Sequence, residues 1–128
     1  MEIFAAFDKI RLMKKTLQKT FGYAFSGIKI LFLREWKFWL YSIISIILIF
    51  LALICNFHRL EMIILIAMIG LVWAAEAINT IIEMYFDHYY PEQKKETQIL
   101  KDASAAFVLI CVITASIVGI LLFYSYVK

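Results

Sequence analysis

Residues 36–56 read WKFWLYSIISIILIFLALICN, a run whose only charge is a lysine at its second position. A hydrocarbon core of ~30 Å is crossed by about 20 apolar residues in helical form, which is the length of this run. Its isoleucines and phenylalanines would also suit a strand. In lipid, however, an unpaired strand leaves its backbone groups unsatisfied, whereas a helix satisfies them internally. The run therefore predicts a transmembrane helix. Two further stretches, residues 62–86 and 103–127, have the same length and character.

The composition agrees. The chain has 128 residues, of which 64% are hydrophobic and 18% charged. A soluble domain of this size keeps much of its chain near the surface and cannot hide so much apolar area. The expected class is an all-α integral membrane protein, a single domain over residues 1–128.

Residues 1–33 differ in kind. Ile3, Phe7, Ile10, Met13, Leu17, Phe21, Ala24, Ile28 and Leu31 recur at intervals of three or four, with lysines on much of the remaining surface. That spacing predicts an amphipathic helix lying in the headgroup plane. Gly22 and Gly27 are candidate points for a break or bend.

Lysine and arginine set the expected orientation. Eight of the 13 lie at or before the start of the first span: Lys9, Arg11, Lys14, Lys15, Lys19, Lys29, Arg34 and Lys37. Lys94, Lys95 and Lys101 fall between the second and third spans, whereas the first inter-span turn has only Arg59. The N-terminus and second loop are thus expected in the cytoplasm, with the first turn and C-terminus outside. Trp36, Trp39, Tyr89, Tyr90, Tyr124 and Tyr126 stand where interfacial aromatic anchors belong. The first apolar run long enough to insert is the first span itself, so no signal peptide is expected. The net charge of +3 suits loops facing an anionic leaflet and gives no sign of a nucleic-acid partner. Cys55 and Cys111 fall at different depths of their spans and read as packing residues.

The chemistry concentrates in AAEAINTIIEMYFD, residues 74–87. Glu76, Asn79, Glu83 and Asp87 fall within about 80° of one another on a helix, because their spacing follows its repeat. A carboxylate at mid-membrane depth costs about 2.5–3.5 kcal/mol even on lenient insertion scales. Such groups should therefore face protein, a wet cleft or a cation. Glu83 and Asp87 could approach a hard cation such as Mg²⁺, which prefers oxygen ligands. Glu76, deeper in the span, suits a general base. The competing structural reading is that these groups only hydrogen-bond helices together. An ion or proton relay along the span, or a non-catalytic membrane scaffold, would also account for buried acids.

Further polar residues are expected at the same membrane face. Glu35 opens the first span, where it could equally be a boundary residue paired with Arg34 or Lys37. Lys101 and Asp102 precede the third span, where Asp102 could serve as a simple N-cap. Taken together, carboxylates for Mg²⁺, a lysine for phosphate, a helix N-terminus and a deeper glutamate are parts a phosphoryl transferase needs. An acceptor hydroxyl at the bilayer surface would belong to a lipid. Walker-type and dinucleotide-binding glycine motifs are absent.

EAINTIIEMYFD is similar to the pattern E-x-x-N-S/T-x-I-E-x-x-x-D of the small prokaryotic diacylglycerol kinases, a family that includes the undecaprenol kinases. ILKDASAAFVLI resembles the segment opening that family's last helix, and FGYAFSGIKILFLRE its amphipathic segment ending in glutamate. The resemblance covers roughly residues 20–110. It implies an ATP-dependent kinase of a lipid alcohol in the bacterial cytoplasmic membrane, a homotrimer with active sites shared between subunits. Position by position it implies Glu76 as general base and Glu35 and Glu83 as Mg²⁺ ligands. Asn79, Asp87, Lys101 and Asp102 match other polar active-site positions, and Lys19 matches a basic residue of the surface helix. With Glu35 and Glu83, the residues Lys19, Asp87, Lys101 and Asp102 would contact the nucleotide. Tyr41 departs from the family, standing where many relatives carry His or Glu. EAINT and Ala105 look closer to the undecaprenol kinases than to the diacylglycerol enzymes, which tend to have Ser in place of Ala105.

Overall fold

In a computed structural model, residues 2–92 and 94–127 are described, and all regular structure among them is helical: α1 (Glu2–Arg34), α2 (Trp36–Ile54), α3 (Arg59–Tyr89) and α4 (Lys95–Val127). Gln93, in the loop before α4, lies outside the described residues. The chain divides into two units, Met1–Arg34 and Glu35–Lys128. The first is α1 alone. Its 33 residues form one unbroken helix, about 50 Å long at 1.5 Å per residue. Gly22 and Gly27 sit inside it without interrupting it.

In the second unit, α2, α3 and α4 are each long and apolar enough to cross a membrane. The 19 residues of α2 match the core thickness, whereas α3 and α4, with 31 and 33 residues, overrun it by several turns. Most large apolar side chains remain exposed, among them Ile46, Phe50, Ile66, Ile113 and Ile120. So much exposed hydrocarbon is tolerable where lipid is the solvent. The protein is an all-helical integral membrane protein.

Small residues bring α3 and α4 together. Ala75 packs with Val108 and Cys111 in the buried core, and short side chains permit close helix approach in lipid. Between α2 and α3, the Phe38 and Trp73 rings meet edge to face at 5.7 Å. Trp73 also donates its indole N–H to Ser45 Oγ at 3.2 Å.

The α2–α3 turn is closed by local backbone chemistry. Asn56, at φ 53°, takes the left-handed conformation that ends many helices. Asn56 N donates to Leu53 O and Phe57 N to Ala52 O, both at 3.1 Å, the bond pair of a Schellman motif. His58 then caps α3, with its own N–H bonded to Glu61 Oε2 at 2.8 Å. The Tyr126 hydroxyl from the end of α4 also bonds Glu61, while Phe57 stacks on Tyr126 and packs against Phe123.

One boundary differs in a way that matters for the site. α4 begins at Lys95, well before residue 103, so Lys101 and Asp102 lie inside the helix. Its unpaired N-terminal amides belong to the first turn and not to the neighbourhood of these two residues.

Candidate active site

The helical repeat places Glu76, Asn79 and Glu83 along one side of α3, and packing buries the first two to 1% and 2% exposure. Glu76 and Asn79 each find a partner on a neighbouring helix. Lys37, in the first turn of α2, lays its Nζ 2.9 Å from Glu76 Oε1. Tyr41, one turn further along α2, directs its hydroxyl at Glu76 Oε2 from 3.5 Å, the long limit of a hydrogen bond. α2 thus meets both oxygens of the buried carboxylate, one tightly and one loosely. The carboxylate is buried while the lysine side chain keeps partial solvent access, so this contact joins α2 to α3 with less than the worth of a fully buried ion pair.

Glu83 is held differently. Asn79 Nδ2 donates to Glu83 Oε1 at 2.9 Å, spanning one helical turn. The Ser104 hydroxyl from α4 lies 2.6 Å from Asn79 Oδ1 and 2.8 Å from the Lys101 carbonyl. Its single proton serves one acceptor at a time. The series Ser104–Asn79–Glu83 therefore orients Glu83 from α4. Beyond it, Lys101 forms an ion pair with Asp87. Thr80 is fully buried, and its hydroxyl has no hydrogen-bond partner among the described residues.

The remaining expected residues are more scattered. Glu35 occupies the N-cap of α2 without a side-chain capping bond. Asp102 accepts from Gln98 Nε2 at 2.7 Å on the exposed side of α4. Lys19 is exposed on α1, in the separate unit.

One cavity has Glu76 in its wall, and a second shares wall residues with the first. The first, of about 270 Å³, is lined by Lys37, Tyr41, Glu76 and Asn79 together with Ala105, Val108, Leu109 and Val112. A larger, apolar one of about 550 Å³ lies between the three helices, with Leu65, Trp73, Ala115 and Phe123 in its wall. Tyr41 and Val112 line both. A carboxylate thus borders a space that adjoins an apolar one, an arrangement suited to a molecule with a polar head and a hydrocarbon tail.

A profile of the prokaryotic diacylglycerol kinase family matches residues 22–123. The chain belongs to that family. The match takes in all of α2 and α3 and most of α4, and so every residue of the Glu76 and Glu83 networks. It makes the protein a lipid kinase in its general class. A search of curated proteins finds no match.

For a kinase of this family the donor set can be tested against Mg²⁺. Among the described residues, no three His, Cys, Asp or Glu side chains gather as a metal cluster. Mg²⁺ does not require one, being held usually by one or two carboxylates together with substrate phosphates. Glu35, at the start of α2, and Glu83, on the polar side of α3, supply the carboxylate oxygens that Mg²⁺ prefers. By donor chemistry alone, these oxygens suit a hard cation.

Three contributors to this polar cluster are not legible in the sequence alone. Lys37 is expected to mark orientation and to be a candidate partner for Glu35, yet it pairs with Glu76. Tyr41 was noted as a departure, but its approach to Glu76 was not foreseen. Ser104 went unremarked among alanines, although it lies one turn beyond Lys101 and so on the same face.

Proposed function

We propose that the protein is an ATP- and Mg²⁺-dependent lipid kinase. It transfers the γ-phosphoryl group to the hydroxyl of a membrane lipid alcohol, diacylglycerol or undecaprenol, at the cytoplasmic face of the bacterial inner membrane. The observation that carries this reading is the buried Glu76 carboxylate beside a cavity that adjoins an apolar one, in a chain of this family.

The acceptor's tail occupies the apolar space, and its hydroxyl enters the smaller cavity. Glu76 Oε2, whose contact with Tyr41 is long, takes the hydroxyl proton as the oxygen attacks the γ-phosphorus. The bond from that phosphorus to the bridging oxygen breaks, leaving ADP and a phosphorylated lipid. General base assistance of this kind contributes typically 10²–10⁴-fold. Glu35 and Glu83 would hold Mg²⁺, which when bound supplies charge neutralisation at the β- and γ-phosphates. Asn79 keeps Glu83 in place, and Lys101, Asp87 and Asp102 contact the nucleotide. The working unit is a homotrimer whose sites are shared between subunits.

The test is direct. Purified protein in mixed micelles receives γ-labelled ATP, Mg²⁺ and either diacylglycerol or undecaprenol, and labelled phospholipid is measured. Transfer to one acceptor is the expected result and identifies the lipid. Absence of transfer to any lipid alcohol would end the kinase reading.

A further inference from the structure

A fully buried carboxylate could have been met by hydroxyls or amides, as Glu83 is by Asn79. Glu76 is met by an ammonium instead, at 2.9 Å. The ammonium comes from another helix, so its position is fixed by packing and not by the local turn. Phe38, the residue after Lys37, is buried and packs edge to face on Trp73 of α3. That contact sets the register of the first turn of α2 against α3. Lys37 binds Oε1, whereas Oε2 meets only the long 3.5 Å approach of the Tyr41 hydroxyl, and the residue lines the smaller cavity. The two oxygens of one carboxylate are thereby made unequal: one is tethered, the other available.

We propose that Lys37 is a positioning residue for Glu76, tethering Oε1 so that Oε2 is presented to the acceptor hydroxyl. The proposal rests on the kinase reading and adds a residue to it. Two other roles for Lys37 have different consequences. A residue that merely fastened α2 to α3 would act on folding whatever stood at position 76. A residue that gripped the nucleotide, using the ammonium's attraction to phosphate, would act on ATP affinity. A tether acts on turnover, and only while Glu76 is present to be tethered.

The experiment is a double-mutant cycle in the full-length protein. Lys37→Met and Lys37→Arg are made in the parent and in Glu76→Gln, and assayed in mixed micelles at saturating acceptor. Misplacing a reacting group by about 1 Å costs on the order of 10²-fold. Lys37→Met should therefore lower kcat by about that factor, with the KM for ATP unchanged. Lys37→Arg, which keeps the charge and a donor, should recover most of the loss. In the Glu76→Gln background, Lys37→Met should cost nothing further, because the tethered group has gone. A kcat for Lys37→Met equal to the parent's, a raised KM for ATP in its place, or an undiminished loss in the Glu76→Gln background would each overturn the proposal.

If Lys37→Met does not fold, Lys37→Met with Glu76→Gln buries no unpaired charge and still tests additivity against Glu76→Gln. A readout independent of turnover completes the set. The infrared carboxylate band lost in Glu76→Gln should shift in Lys37→Met and return in Lys37→Arg. A band that stays in place would sink the tether even if the protein phosphorylates no lipid. An active parent with an unmoved band would sink the tether alone.

Discussion

Glu76 and Glu83 stand two turns apart on one helix, yet their surroundings prepare them for different work. Glu76 is paired with an ammonium and borders a cavity, whereas Glu83 is less buried and bonded to a neutral amide. Glu76→Gln is therefore expected to lower kcat by roughly 10² or more, with the KM for ATP little changed. Glu83→Gln should weaken Mg²⁺-ATP binding as well as turnover, which nucleotide binding followed over a Mg²⁺ titration would separate. If Glu76→Gln instead raised the KM for Mg²⁺-ATP and spared kcat, Glu76 would be a metal ligand and the base would lie elsewhere. The polar face of α3 was legible because a single helical repeat decides which of its residues align. The partners were not. Whether Lys37 reaches Glu35 or Glu76 depends on how α2 is set against α3, and that register comes from the Phe38–Trp73 contact. Ser104 was hidden for a related reason: its role exists only once α4 is packed beside Asn79.

The elements themselves were easier to read, since apolar length alone separates a span from its surroundings. Their ends were harder. Hydropathy reports where lipid begins, not where a helix does, and KETQILKD continues α4 in good helix formers outside the apolar run. The consequence is chemical: Lys101 presents its side chain to Asp87 from within a helix, not from a flexible loop. The α2–α3 turn depends most on one residue. Asn56 holds a left-handed φ of 53°, which costs a residue with a Cβ about 1–2 kcal/mol unless its side chain is suited to it. Asn56→Val should destabilise the protein by about that amount, measured by denaturation in micelles. Asn56→Gly should be neutral or slightly stabilising, because glycine meets no Cβ penalty there. Equal stability for the two variants would show that the turn is held by the His58, Glu61 and Tyr126 contacts alone.

At the scale of the whole molecule, the two ends of the three-helix unit differ. One is closed by Phe57, Glu61, Phe123 and Tyr126, with Arg59 exposed beside them. The other carries Glu35, Lys37, Asp87, Lys94, Lys95, Lys101 and Asp102. Cytoplasmic loops carry the excess of lysine and arginine, and the proposed reaction draws ATP from the cytoplasm, so the expected orientation has the second end inside the cell. The proposed reaction depends on this, because Lys101 and the Glu83 network reach nucleotide only from that side. The check replaces the free thiols of Cys55 and Cys111 and introduces single cysteines at Arg59 and at Lys94, both exposed. A membrane-impermeant thiol reagent applied to intact cells should label the cysteine at Arg59. The cysteine at Lys94 should react only after the membrane is opened. The reverse pattern would put the carboxylates on the outer face, away from ATP, and a cytoplasmic phosphoryl transfer at Glu76 would be impossible.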